Sequence, residues 1–300
     1  MTQPIKVDQK YIDLFHDYTH AIMPRRVFVD RLTMMAGGTV AASALLPLLE
    51  NNYAKAAIVE PNDARITVTR EEIDGGDGVK VKTLVAKPRA ATATTRLPTV
   101  IVIHENRGLN PHIEDVTRRM AVEGFLALGT DLLSMAGGYP GTDEAAAQIF
   151  GQVQAPKAVA ELQNIAKLAA ARPDSNGKVG VVGFCWGGGR VNDIMTSADT
   201  PANVATGVTY YGGGSGWNAN VANVKVPHMV HLGSLDTGTN TGNIAYADAA
   251  KAAGKNVTVF VYEGANHAFN NDTNAARYHE ASAKQAWTRT IDFFNQNLKA

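Results

Sequence analysis

Short apolar segments separated by stretches of helical length constrain the fold of this chain more than any other feature. Buried strands that alternate with helices form a parallel sheet with helices on both faces. The sequence therefore predicts an α/β protein. The apolar segments span residues 99–103, 125–128, 179–184, 204–210, 228–232 and 257–261, and the helical stretches include residues 145–171, 242–254 and 275–298.

A hairpin is predicted ahead of these segments. Residues 66–69 and 79–85 alternate between polar and apolar side chains, and a turn-rich run of Asp and Gly at residues 74–78 connects them. Such a pattern is typical of two antiparallel strands. We expect them to form an antiparallel N-terminal edge of the otherwise parallel sheet.

Composition favours a globular protein that acts on a small molecule. The chain is 45% hydrophobic, which is enough to bury a substantial core. Lys plus Arg and Asp plus Glu both number 28, so no net charge attracts nucleic acid. A single cysteine, Cys185, excludes an internal disulfide and a Cys-rich zinc site.

Residues 1–56 differ from the rest and are predicted to be an N-terminal extension to a catalytic domain at residues 57–300. The pair Arg25-Arg26, an apolar stretch at 32–49 and small residues around Ala56 resemble a twin-arginine export signal, which predicts a periplasmic protein. The apolar stretch contains glycine and proline, so stable membrane insertion is not expected. On this hypothesis a chain beginning at Ala57 keeps full activity. The alternative is a cytoplasmic protein in which residues 11–49 are helices packed on the domain.

The motif with the clearest chemistry is Gly-Phe-Cys-Trp-Gly-Gly at residues 183–188, directly after an apolar segment. This motif follows the pattern of a small residue, any residue, a nucleophile, any residue and glycine. Between a strand and a helix the pattern forms a nucleophile elbow, the signature of the α/β-hydrolase fold. Here Cys185 stands where serine is usual. A helix N-terminus and a nearby histidine both lower the pKa of a thiol. The alternative is a buried structural cysteine without a catalytic role. The glycines around Cys185 would fill a hydrophobic core poorly, so the functional interpretation is favoured.

Two further segments place a carboxylate and a histidine in the order that this fold requires after the nucleophile. Asp236 follows the apolar segment at 228–232, and His267 follows the one at 257–261. Ligands of open α/β sheets bind at the carboxyl ends of the strands, so these side chains are expected to meet Cys185 there. The other histidines are interpreted as structural. Four of them, His16, His20, His112 and His279, are expected on solvated or half-buried faces of helices or of the N-terminal lead.

The loop after the first long apolar segment is predicted to complete the site. Its sequence is His-Glu-Asn-Arg-Gly-Leu-Asn at residues 104–110. In this fold that loop supplies an N–H group to the oxyanion hole. We expect backbone N–H groups near Asn106 and Trp186 to bind the developing oxyanion. Glu105 would then lie close to Cys185, although a plain loop carboxylate is an equally good interpretation of the residue type.

At these motifs the chain resembles the dienelactone hydrolase family of α/β hydrolases. The resemblance extends through Arg277-Tyr278 and Trp287 and covers roughly residues 60–298. It implies a triad of Cys185, His267 and Asp236, with Glu105 helping to move the thiol proton when substrate displaces it. Hydrolysis would proceed through a thioester acyl-enzyme, with no metal or organic cofactor.

One departure from the family leaves the substrate open beyond an ester or lactone. Family members that act on dienelactone anchor its carboxylate with arginines, and the corresponding segments here lack them. Arg107 and Arg277 are the available substitutes. Two other functions remain alternatives at this stage: a non-catalytic small-molecule binding protein of the same fold, and a thiol redox protein that uses Cys185 with an external thiol.

Overall fold

One eight-stranded sheet organises the protein. The structure is a computed structural model, and it describes residues 7–20, 23–55 and 57–299. The strand order is β1-β2-β4-β3-β5-β6-β7-β8. The strands are β1 (Ile66–Gly76), β2 (Val79–Pro88), β3 (Leu97–Ile103), β4 (Leu126–Asp131), β5 (Ser175–Phe184), β6 (Val204–Tyr210), β7 (His228–Gly233) and β8 (Val257–Tyr262).

The antiparallel edge lies where the sequence predicts it. Strand β1 pairs antiparallel with β2, and β2 pairs antiparallel with β4. The hairpin turns at Asp77 and Gly78, which both have positive φ angles of 49° and 79°, the backbone conformation that tight hairpin turns favour. All remaining strand pairs are parallel. The predicted α/β-hydrolase fold is confirmed.

Helices cover both faces of this sheet. One apolar layer packs beneath α4 and α9, and the other beneath α6 and α7. Both layers are buried at their centres, where Val102 and Val181 are at most 1% exposed. The helices of the catalytic domain are α4 (Pro111–Val122), α5 (Asp143–Phe150), α6 (Ala155–Ala170), α7 (Trp186–Met195), α8 (Thr237–Ala252) and α9 (Glu280–Leu298).

The helical stretch predicted at residues 145–171 is two helices rather than one. Helix α5 ends at Phe150, and α6 begins at Ala155 with Pro156 in its first turn. Proline lacks the N–H that a continuing helix needs but is well suited to a helix start. The break therefore has a local cause that the helical periodicity did not reveal.

Residues ahead of the catalytic domain form three helices with an apolar core of their own. They are α1 (Gln9–Thr19), α2 (Arg25–Ala36) and α3 (Thr39–Leu49). Phe28, Leu32 and Leu49 are completely buried in that core. Among the described residues no single helix is long and apolar enough to cross a membrane, and α2 with α3 reaches the required length and composition only as a pair bent by 117°.

These helices are joined to the catalytic domain by hydrogen bonds at the segment 273–276. The backbone carbonyl of Leu49 accepts from the Asn274 side chain at 2.5 Å, and that of Leu48 accepts from the Ala276 N–H at 3.0 Å. The Asn52 N–H donates to the Thr273 carbonyl at 2.8 Å. These contacts favour the alternative in which the segment belongs to the fold. Export through a twin-arginine signal stays a prediction, and Ala56, its predicted cleavage site, lies outside the described residues.

We therefore expect a chain that begins at Ala57 to be less stable than the full-length chain, contrary to the expectation of dispensability. Removal of residues 1–56 deletes the Leu49 carbonyl that accepts a hydrogen bond from the buried Asn274 side chain. It also exposes apolar surface of the remaining chain. The melting temperature should fall by at least about 4 °C in thermal unfolding. Val40→Ala, at an exposed position of α3, is the control and should melt like the parent. Equal melting temperatures for the truncated and full-length chains would restore the first hypothesis.

Candidate active site

The chain turns from β5 into α7 at Cys185, whose backbone is strained. Its φ and ψ angles are 52° and −114°, a conformation that residues other than glycine rarely adopt. Glycines make the turn possible, because a Cβ on Gly183 would lie 2.2 Å from the Gly187 carbonyl oxygen. A Cβ on Gly187 would lie 2.4 Å from the His104 carbonyl oxygen. This geometry is that of a nucleophile elbow.

The loops after β7 and β8 bring Asp236 and His267 together. Nδ1 of His267 and Oδ2 of Asp236 are 2.7 Å apart, and each residue is 5% exposed. Two other carboxylates of this part of the sequence, Asp248 and Asp272, are not the partner of His267. Asp272 contacts Arg119 at 3.0 Å, and Asp248 is exposed on α8. The order and placement expected from the sequence are thus present in the geometry.

Electrostatics favour a charged His267–Asp236 pair. Burial by itself lowers the pKa of His267, but the Asp236 carboxylate and the adjacent Cys185 together raise it to about 10. Burial raises the pKa of Asp236, and His267 reverses that effect and lowers it below its usual value. Each partner therefore stabilises the ionised form of the other.

Buried polar atoms without a protein partner surround Cys185. Within the part of the chain that the structure describes, these atoms include Oε1 of Glu105, Oη of Tyr211, Nε of Arg277 and Nε2 of His267. The other carboxylate oxygen of Glu105 accepts a hydrogen bond from Asn271 at 3.3 Å. Buried polar groups are normally paired, so a cluster of unpaired ones at a pocket indicates a site made for a ligand.

The predicted oxyanion residues lie at the junction of β3 and α7. The close approach of Gly187 to the end of β3 places the first turn of α7 against this loop. The ring of Trp186 stacks on His104 with centroids 5.6 Å apart. The Asn106 side chain donates to the Thr19 carbonyl at 2.8 Å. The binding of an oxyanion by backbone N–H groups near Asn106 and Trp186 stays a prediction.

Helix α1 and the residue that follows it bring two histidines to the site that were not predicted there. Nε2 of His20 is 3.5 Å from Sγ of Cys185, and Nδ1 of His20 contacts the His16 carbonyl oxygen at 2.8 Å. Burial lowers the pKa of His20 to about 2 and that of His16 to about 4. Both are half-buried, as expected, but their position was missed. A spacing of four residues on one helix face was the available signal.

A pocket of about 320 Å³ opens onto these groups. The N-terminal helices and the catalytic domain both line it, and it reaches Cys185, Glu105 and His267. Arg107 and Arg277, the proposed substitutes for the missing anchoring arginines, also line it. Its volume is at the small end of the range for ligand pockets.

Comparison with known proteins identifies the family of this site. The profile of the Dienelactone hydrolase family matches residues 81–298, which contain every candidate residue from Glu105 to His267. The chain belongs to the dienelactone hydrolase family. The resemblance in the motifs is thereby confirmed, and the protein is an ester or lactone hydrolase.

Relatives at the sequence and structure levels agree with the family. A Salmonella typhimurium protein described as a "Putative carboxymethylenebutenolidase" is 30% identical over 224 residues, covering 70% of this chain and 81% of its own. An Escherichia coli O157:H7 protein with the same description is 27% identical over 277 residues, covering 88% of this chain and 96% of its own. The crystal structure of a "Putative Dienelactone Hydrolase" from Klebsiella pneumoniae has a TM-score of 0.67 at 27% identity, covering 77% of this chain and 99% of its own.

We expect Asp236→Asn to lower kcat for ester hydrolysis by about 10²- to 10⁴-fold while the protein stays folded. An amide in place of the carboxylate favours the wrong tautomer of His267 and no longer stabilises its charged form. Steady-state kinetics and a melting curve measure the two effects. Asp248→Asn, on the exposed face of α8, is the matched control and should leave kcat unchanged. A similar, small change in kcat in both variants would contradict the proposed role of Asp236 as the partner of His267.

Proposed function

We propose that the protein hydrolyses a small carboxylic ester or lactone through Cys185 as nucleophile and a thioester acyl-enzyme. The observation that carries the proposal is the strained turn at Cys185, which faces the pocket next to a histidine oriented by a carboxylate. Nucleophile, orienting acid and base follow each other along the chain in the order of an α/β-hydrolase triad. The Cys185 side chain is 4% exposed and lines this pocket.

The first half-reaction forms the thioester. The thiolate of Cys185 attacks the carbonyl carbon, and the carbonyl oxygen takes up negative charge against backbone N–H groups near Asn106 and Trp186. The carbon–oxygen bond to the alcohol then breaks, and His267 in its protonated form donates the proton that the leaving alkoxide needs. Opening of a lactone follows the same steps, but the alcohol stays attached to the acyl group.

The second half-reaction regenerates the enzyme. Nε2 of His267 takes a proton from water, and the resulting hydroxide attacks the thioester carbonyl. The carbon–sulfur bond breaks, the acid leaves, and Cys185 returns to its starting state. Nδ1 of His267 stays bound to Asp236 in this scheme, which holds Nε2 toward the reacting atoms.

Glu105 is proposed to help move the thiol proton. Its Oε1 atom is buried and, among the described residues, has no hydrogen-bond partner. Attraction to Glu105 supports the positive charge of the buried Arg277, which is otherwise destabilised by burial. A substrate that contacts Arg277 would weaken this attraction and free the carboxylate to move toward Cys185. Glu105 would hold the thiol proton through both half-reactions and return it to the Cys185 thiolate after the acid leaves. Proton removal would thereby be linked to substrate binding.

Cys185→Ala tests the proposal. We expect kcat/KM for 4-nitrophenyl acetate to fall by at least about 10³-fold, because removal of a nucleophile leaves only binding and oxyanion stabilisation. Ser215→Ala removes an exposed hydroxyl from the loop after β6 and should leave kcat/KM unchanged. Near-normal hydrolysis by Cys185→Ala would overturn the mechanism. Consumption of peroxide by the wild-type protein, lost in Cys185→Ala, would favour thiol redox chemistry in its place.

A further inference from the structure

Three imidazoles from two distant parts of the chain converge beside Cys185. His16 and His20 lie one helical turn apart near the end of α1, and His267 follows β8. One ring nitrogen from each of the three lies within 4.8 Å of the other two. The His16 and His20 rings stack with centroids 4.0 Å apart, and each meets the His267 ring edge-on at about 5 Å. Two histidines four apart on one helix are a common basis of zinc sites.

The second nitrogen of two of these rings is already held by an oxygen atom. Nδ1 of His267 contacts the Asp236 carboxylate at 2.7 Å, and Nδ1 of His20 contacts the His16 carbonyl oxygen at 2.8 Å. A carbonyl oxygen only accepts hydrogen bonds, so Nδ1 of His20 carries the hydrogen and Nε2 presents a lone pair. Metal-binding histidines are typically oriented in this way by carboxylates and carbonyl groups.

The rings of His20 and His267 both contact the side chain of Cys185. Nε2 of His267 is buried and has no partner among the described residues, and Nε2 of His20 lies 3.5 Å from the thiol of Cys185. Three imidazoles and one thiolate form a ligand set that suits zinc in a tetrahedral site. With bonds of about 2.0–2.3 Å to zinc, the ligand atoms would lie roughly 3.5 Å apart. The three ring nitrogens, which lie within 4.8 Å of one another, would therefore have to move closer together.

Nearby charges are compatible with a divalent cation. The carboxylates of Asp236 and Glu105 are both buried close by. The opposing charges are the guanidinium groups of Arg277, which acts unfavourably on protonated His16 and His20, and of Arg107, which lines the same pocket. Zinc binding requires the Cys185 thiol and protonated His267 to lose their protons to solvent. The Cys185 thiolate and the two carboxylates then outnumber the two guanidinium groups.

We propose that His16, His20, His267 and Cys185 form a zinc site that inhibits the hydrolase. Four protein ligands leave no open position for water, which is the arrangement of a closed rather than a catalytic zinc site. Zinc bound there occupies both the sulfur and the Nε2 atom that the proposed reaction uses. The inhibitory consequence therefore rests on the proposed function, whereas the site itself rests only on the geometry. Zinc is an inhibitor in this proposal and plays no part in the reaction.

Metal binding without substrate tests the site. Metal-free, full-length protein is titrated with zinc chloride in a calorimeter and with cobalt chloride in an absorption spectrometer. We expect one metal per chain, the intense visible bands of tetrahedral cobalt, and a sulfur-to-cobalt charge-transfer band that Cys185→Ser removes. His16→Gln and His20→Gln keep similar side-chain volume and should each weaken zinc binding by at least about 10-fold. His279→Gln removes an imidazole that contacts Ser282, away from the site, and is the matched control.

Two results would overturn the zinc site: wild-type protein without the tetrahedral cobalt bands, or equal zinc affinity in wild type, His16→Gln and His20→Gln. Melting curves verify that each variant is folded. Zinc should also inhibit hydrolysis of 4-nitrophenyl acetate by the wild type, reversibly with EDTA, and His20→Gln should need at least about 10-fold more zinc for the same inhibition. Hydrolysis by Cys185→Ala in metal-free buffer tests the thioester mechanism in the absence of zinc. Failure of the zinc site can therefore be distinguished from failure of the proposed mechanism.

Discussion

Close backbone packing at the turn between β5 and α7 is the constraint on which the rest of the site depends. Glycines at 183 and 187 let the first turn of α7 pass within contact distance of the elbow and of the end of β3. This packing holds Cys185 in a backbone conformation that it would not adopt in a free peptide. The sheet also fixes where β7 and β8 end, so Asp236 and His267 arrive at the same edge as the thiol. The geometry of the candidate triad is thus a property of the sheet and its turns.

The N-terminal helices form part of the pocket that contains Cys185. They line the pocket, and His20 contacts the thiol directly. Phe15 of α1 lies 5.2 Å from the guanidinium of the buried Arg277. Access of substrate to Cys185 therefore depends on a segment that precedes the hydrolase fold in the chain. This arrangement gives the segment a role in the folded protein that is independent of any role in export.

Most of the fold and the catalytic constellation could be predicted from the sequence, because both depend on local signals in a fixed order. Every apolar segment singled out became a strand, and the motifs that contain Cys185, Asp236 and His267 lie after the strands expected. The placement of α1 could not be predicted, since it depends on long-range hydrogen bonds such as those from Gln9 to Asn266 and from Asn106 to Thr19. The same holds for His16 and His20, whose sequence pattern is equally typical of a solvated helix face. The break between α5 and α6 was missed because apolar periodicity continues across it.

The most direct test of the central claim, that Cys185 carries the acyl group, is to trap the intermediate. Wild-type protein is mixed with excess 4-nitrophenyl acetate, quenched in acid during turnover, digested and analysed by mass spectrometry. We predict that the peptide containing Cys185 gains the mass of one acetyl group and that hydroxylamine at neutral pH removes it, as expected for a thioester. The corresponding peptide of Cys185→Ala, which has no nucleophile at this position, should show no such adduct. Turnover with an unmodified Cys185 peptide, or an adduct on any other residue that forms and decays at the rate of turnover, would contradict it.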